Sequence, residues 1–109
     1  MEASRVILNN TFAINNRYRV VLYVIRVEAS KKIPSGIKAK FVLIDSKNGT
    51  PRLLIDNHEP FGFHMHTKLP AEENVREPLP VKDHNEALTF FFQEVERIIQ
   101  HEQSEDTNN

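Results

Sequence analysis

Three of the five histidines of this 109-residue chain fall in one stretch, Asp56-Asn57-His58-Glu59-Pro60-Phe61-Gly62-Phe63-His64-Met65-His66-Thr67-Lys68. Its last part alternates strictly. If it is extended, His64, His66 and Lys68 share one face, while Phe63, Met65 and Thr67 take the other. Two imidazoles can divide the roles of proton acceptor and proton donor near neutral pH, and an ammonium can neutralise an anion. Pro60 and Gly62 predict a sharp turn into the segment. The competing reading is a polar strand edge without chemistry, because histidines are also ordinary half-buried residues.

The other chemistries are weaker on this sequence. His58, His64, His66 and Asp56 could supply metal ligands, but no His-Glu-x-x-His or similar spacing is present, and no metal or other cofactor is expected. The three glycines are scattered and no serine lies in Gly-x-Ser-x-Gly. The chain has no cysteine, which removes thiolate sites, cysteine nucleophiles and disulfides. What remains is acid–base chemistry on a substrate with its own nucleophile. RNA fits, because its 2′-hydroxyl can attack the adjacent phosphate. His64 and His66 would serve as base and acid in either order, with Lys68 or Arg52 on the phosphoryl oxygens and Asp56 completing the catalytic set.

The elements that must position these residues read as strands upstream and a helix downstream. Residues 5–14 form a first strand, closed by an Asn15-Asn16 turn. Arg17 to Val27 is the most apolar, so a central strand covered on both faces is expected. Ile37 to Asp45 follows, then a tight turn at Ser46-Lys47-Asn48-Gly49, and Arg52 to Asp56 completes the meander. Residues 69–82 carry Pro70, Pro78 and Pro80 and read as a loop. Asp83 with Glu86 resembles a capping box, and Leu88, Phe91, Phe92, Val95, Ile98 and Ile99 recur at helical spacing. Phe90 lies outside that stripe, free for a partner. The expected fold is α+β: an antiparallel β-meander of about four strands with one C-terminal helix packed on one face. A single domain over residues 1–103 and a disordered polar tail over 104–109 complete it.

Net charge is −1, yet its distribution is uneven. Residues 1–68 carry eleven Lys/Arg against five Asp/Glu, and residues 69–109 carry three against ten. The front half is therefore +6 and the back half −7. Arg17 and Arg19 share a face of their strand, as do Lys38 and Lys40 of theirs. If the pairs align they make a basic stripe suited to a phosphodiester backbone, with Arg52, Asn57 and His58 as further binding candidates. Lysines on strands equally protect sheet edges. No apolar run reaches the roughly 18 residues of a membrane span, and no signal peptide is visible. With the lack of cysteine, these point to a cytoplasmic protein without a membrane partner.

Leu54-Ile55-Asp56-Asn57-His58 followed by Pro60-Phe61-Gly62-Phe63-His64-Met65-His66, a proline loop and an acidic amphipathic helix resembles the TumE-type toxins of bacterial toxin–antitoxin pairs. The similarity spans roughly residues 17–102, with its specific part at Asp56 to His66. The family's tyrosine–arginine strand, Asp-Asn dipeptide and His-x-His cluster fall on Tyr18 and Arg19, Asp56 and Asn57, and His64 and His66. The chain departs from the pattern at Met65 and in a longer loop before its helix. The resemblance implies a small cytoplasmic toxin neutralised by a helix-turn-helix antitoxin. Together with the residues, it gives the expectation of a metal-independent endoribonuclease acting on RNA, a homodimer being compatible with it. The alternatives are a non-catalytic nucleic-acid- or protein-binding module and a metal-dependent nuclease using His58, His64 and His66.

Overall fold

A computed structural model describes residues 5–31, 33–58, 62–69 and 71–107; the side chains of His58, Thr67, Lys68, Glu73 and residues 103–107 lie outside the described set. Strands β1 (Arg5–Ile14), β2 (Tyr18–Arg26), β3 (Ile37–Asp45), β4 (Thr50–His58), β5 (Gly62–Lys68) and β6 (Glu72–Pro78) precede one helix, α1 (His84–Thr107). Among the described residues, the strands form a single antiparallel sheet in chain order.

Local chemistry explains the strand connections. Asn15 and Asn16 both take positive φ, 47° and 68°, the conformation of a two-residue hairpin turn whose twist matches its strands. Gly49, with φ 73°, closes the β3–β4 turn, its amide donating to the Asp45 carbonyl at 2.8 Å. Alternation then sorts the residues. Tyr18, Val20, Leu22 and Val24 of β2 and Ala39, Phe41 and Leu43 of β3 are buried with Leu53 and Ile55 of β4. Helix α1 covers this face, packing chiefly on β3 and β4.

The helix begins as its capping signal predicts. Asp83 Oδ1 accepts from the Glu86 amide at 2.9 Å, and Glu86 reaches back to the Lys82 amide at 3.1 Å. Ala87, Phe91 and Val95 form its buried line, with Leu88, Ile98 and Ile99 packed alongside. Phe91 stacks at a tilt on Phe41, centroids 5.8 Å apart. Phe90 also packs against the core, although the stripe had left it for a partner. No helix among the described residues is long and apolar enough to cross a membrane.

The architecture is α+β, with six strands where about four were expected. The conditional strand at the histidines is β5. The added strand, β6, runs through the stretch read as a proline loop. Pro80 lies beyond it, Pro70 is outside the described residues, and Pro78 ends the strand on the sheet edge, where a missing N–H costs least. Strand β2 is also not central. It is second in the sheet, and Val21, Tyr23 and Ile25 are only half-buried, because the helix covers one face alone.

The far end of the helix docks through charge. Glu102, one heptad beyond Val95, carries the apolar line onward with a carboxylate. It accepts from Arg52 at 2.5 Å and from Arg17 at 2.9 Å, while Arg17 also faces buried Asp45 at 3.8 Å. The Arg17 guanidinium sits over the Tyr18 ring. The Tyr18 hydroxyl lies against the same carboxylate without the geometry of a full hydrogen bond. Burial chiefly, then Glu102, pushes its pKa up to about 12. Burial opposes ionisation of Glu102, but Tyr18, Arg52 and Arg17 together outweigh it and hold the carboxyl below its usual range. Arg17 and Arg52, read as substrate-binding residues, are thus helix anchors. Arg17 therefore does not share the face of Arg19.

Phe91→Ala should cost about 3–5 kcal/mol in thermal or denaturant melts, because the ring is 0% exposed. Phe92 is 36% exposed, resting on Phe12 of β1, so its truncation should cost about 1–2 kcal/mol. Equal losses would mean that the helix docks by a different line.

The charge cluster predicts opposite pH limbs. A lowered folded pKa makes the Glu102 contribution complete above its unfolded value near 4.5 and lost as pH falls through the folded value. A raised one makes the Tyr18 contribution complete below 10 and lost as pH rises toward about 12. Glu102→Gln should lose about 2 kcal/mol near neutrality and flatten the acid limb of a Tm-against-pH curve.

Candidate functional site

The open face of the sheet, opposite the helix, carries the candidate chemistry in two adjacent rows. Across β2 to β6 the first row reads Tyr23, Lys40, Asp56, His64 and Pro78, each the register partner of the next. The second reads Val21, Val42, Leu54, His66 and Arg76. Residues directly opposite in an antiparallel sheet project to the same side. This puts Asp56 between Lys40 and His64 with no loop involved.

Asn57 makes that register specific. On the helix side of β4, its Oδ1 accepts from the Ala39 amide at 2.9 Å and its Nδ2 donates to the Ile37 carbonyl at 2.6 Å. The ladder of β3 on β4 ends at Lys40 and Asp56, and the amide side chain satisfies the two backbone groups beyond it. Asn57 is therefore a structural residue, in place of the binding role read from the sequence. The Asp56-Asn57 dipeptide sends one side chain to each face.

His64 is 1% exposed. Its Nδ1 lies 2.9 Å from the Gly62 carbonyl, which can only accept, so Nδ1 carries a proton. That Nε2 is 2.5 Å from Asp56 Oδ1, and His66 Nε2 is 3.8 Å from the same oxygen. The rings of His64 and His66 are 5.2 Å apart, tilted at 54°. Asp56 Oδ1 is buried, and its contact with His64 Nε2 is an ion pair when the imidazole is protonated. A carboxylate oxygen this close to an imidazole nitrogen needs a proton or a metal cation between them. One ligand atom from each of Asp56, His64 and His66 can be chosen so that all lie within 4.8 Å of one another. Three potential ligand atoms thus lie together beside the Asp56 carboxylate.

The donor set fits a divalent transition metal. Catalytic zinc commonly takes three protein ligands from His and carboxylate and leaves a position open, and a ligating His usually gives its other N–H to a carbonyl. Gly62 provides that carbonyl for His64.

The other sequence candidates divide three ways. Arg19, Lys38 and Lys40 are exposed, and their register partners Ile44, Ile25 and Tyr23 set all three on the open face, but the apolar Val21–Val42 row separates Arg19 from the two lysines. Arg17 and Arg52 serve the helix on the opposite face. The side chains of His58 and Lys68 lie outside the described residues. Sequence reading passed over Tyr23 and Arg76. Tyr23 was legible, since it alternates with Arg19 on β2. Arg76 was not, because it lies on the unexpected β6. No family model, curated protein or solved structure proved similar enough to this chain to assign it by comparison.

Asn57→Ala should cost about 1–3 kcal/mol by leaving the Ala39 amide and the Ile37 carbonyl unpaired. Asn57→Asp should also destabilise, because a carboxylate cannot donate to Ile37. A melt unchanged in both variants would show that the β3–β4 register is set elsewhere.

Proposed function

We propose that this chain is a toxin-type endoribonuclease whose phosphodiester chemistry is centred on Asp56, His64 and His66, with a divalent transition metal completing the centre. The observation that carries the reading is the convergence of one ligand atom each from Asp56, His64 and His66 within 4.8 Å of one another. Arg19, Lys38 and Lys40 on the same face suit a polyanionic substrate. The toxin assignment, the helix-turn-helix antitoxin and the cytoplasmic setting come from the resemblance of the Asp56–His66 stretch to TumE-type toxins.

The side chains have distinct tasks in this reading. His64, buried and tied to Gly62, holds its Nε2 toward the centre. Asp56 supplies the anionic donor and is the more accessible of the two. Lys40, opposite Asp56, neutralises a phosphoryl oxygen of the bound strand. A bound metal would polarise the phosphate and lower the pKa of its own water. Cleavage forms a bond from phosphorus to a hydroxyl oxygen, the substrate's 2′-hydroxyl or water, as the P–O5′ bond breaks; the attacking hydroxyl gives up one proton and the leaving 5′-oxygen gains one. A metal-free acid–base pair fits less well, because His64 is too enclosed to meet a substrate oxygen.

Dialysed full-length protein should take up one equivalent of Zn²⁺ or Co²⁺ by calorimetry, with visible Co²⁺ absorption. Asp56→Asn and His66→Ala should each weaken uptake by about 10–100-fold or more. RNA cleavage should follow metal occupancy and stop in excess chelator. Cleavage that persists in chelator and leaves 2′,3′-cyclic ends would restore the metal-free pair. Metal uptake without cleavage of any RNA would remove the nuclease assignment and leave the centre.

A further inference from the structure

The face that carries the candidate centre also carries an apolar groove that the chemistry above does not use. It has a volume of about 470 Å³ and is lined chiefly by Val21, Tyr23, Lys40, Val42, Ile44 and Leu54. The open face of an antiparallel sheet normally alternates to polar residues. Here β2, β3 and β4 place branched apolar side chains on it, half-buried, and the helix lies on the other side.

Register joins the groove to the centre. Leu54 in the groove is the partner of His66, and Lys40 at its rim is the partner of Asp56. Tyr23 stands one strand beyond Lys40 in the same row. From Tyr23 to Asp56 is two strand spacings, about 9.6 Å, a distance that one nucleotide covers between its base and a neighbouring phosphate. Arg19 and Lys38 flank the groove, exposed, on the rows to either side. The occupant must therefore be flat and apolar where it meets Val21, Val42 and Leu54, and anionic where it meets Lys40.

We infer that this groove is a base-binding subsite, in which one unpaired nucleobase of a single-stranded RNA lies on the apolar floor against Tyr23 while the adjoining phosphate passes Lys40 to Asp56. The inference rests on the endoribonuclease reading and adds to it a substrate class, single strands. In a duplex the base faces are stacked on one another and unavailable to Tyr23. Base–aromatic stacking tolerates any base, so the subsite confers a preference for unpaired strand more than for sequence. The cations on the flanks are what single out a nucleic acid from an apolar peptide.

The test uses the full-length protein and a fluorescent 2′-O-methyl RNA single strand in chelator, where neither reading of the centre cuts it. Tyr23→Ala should weaken its binding about 5–150-fold, the equivalent of one lost stack. Tyr23→Phe should restore the affinity, because the ring and not the hydroxyl makes the contact. Val42→Glu, which puts a carboxylate on the floor, should weaken it as well. The blunt duplex should bind at least about tenfold more weakly than the single strand. Matching melts and unchanged Zn²⁺ uptake in the variants exclude a folding defect. Parent-like binding by Tyr23→Ala and Val42→Glu would overturn the subsite, and if the parent still cleaves RNA the nuclease reading survives that result. A parent that neither binds nor cleaves single-stranded RNA would overturn both.

Discussion

The register of β4 against its two neighbours is the constraint on which the rest depends. A strand has a side-chain period of two, so a slip of one residue would exchange its faces. Asp56 would then turn to the core and Asn57 to solvent. The Asn57 side chain opposes that slip through two bonds to β3 backbone, 2.9 and 2.6 Å long. Leu53 and Ile55 oppose it by burial under the helix. With β4 fixed, Asp56 must stand between Lys40 and His64, since each is its direct partner across the sheet.

Two sets of charges occupy the two faces, and they behave differently for a physical reason. Under the helix, Arg17 and Arg52 meet Asp45 and Glu102, so the two shielded carboxylates each have a partly exposed cation as neighbour. The open face has Arg19, Lys38 and Lys40 in water, with Asp56 as the acidic residue at the centre of its row. The basic front half of the sequence is therefore not one surface. Part of it is consumed in holding the acidic helix, and the remainder is presented on the opposite side. The same helix leaves the open face bare, and so the apolar residues of β2 and β3 become a groove beside the candidate centre.

The sequence by itself determined the local elements where chemistry is local. The Asn15-Asn16 turn, the bounds of β1 and β3, the Asp83 cap and the Phe91 line follow from turn propensity, alternation and helical spacing. It also determined that His64 and His66 share a face, because an extended chain permits nothing else. Only the tertiary structure decided what depends on pairing between distant segments. Sequence spacing cannot say which strand lies beside which, or in what register, so it could not bring Asp56 to 2.5 Å from His64 Nε2. Nor could it send Arg17 and Arg52 to Glu102, although Glu102 lies on the extension of the apolar stripe and a buried carboxylate must find cations. The prolines hid β6, since a proline is excluded from a central strand but tolerated at an edge, and edge or centre is a property of the assembled sheet.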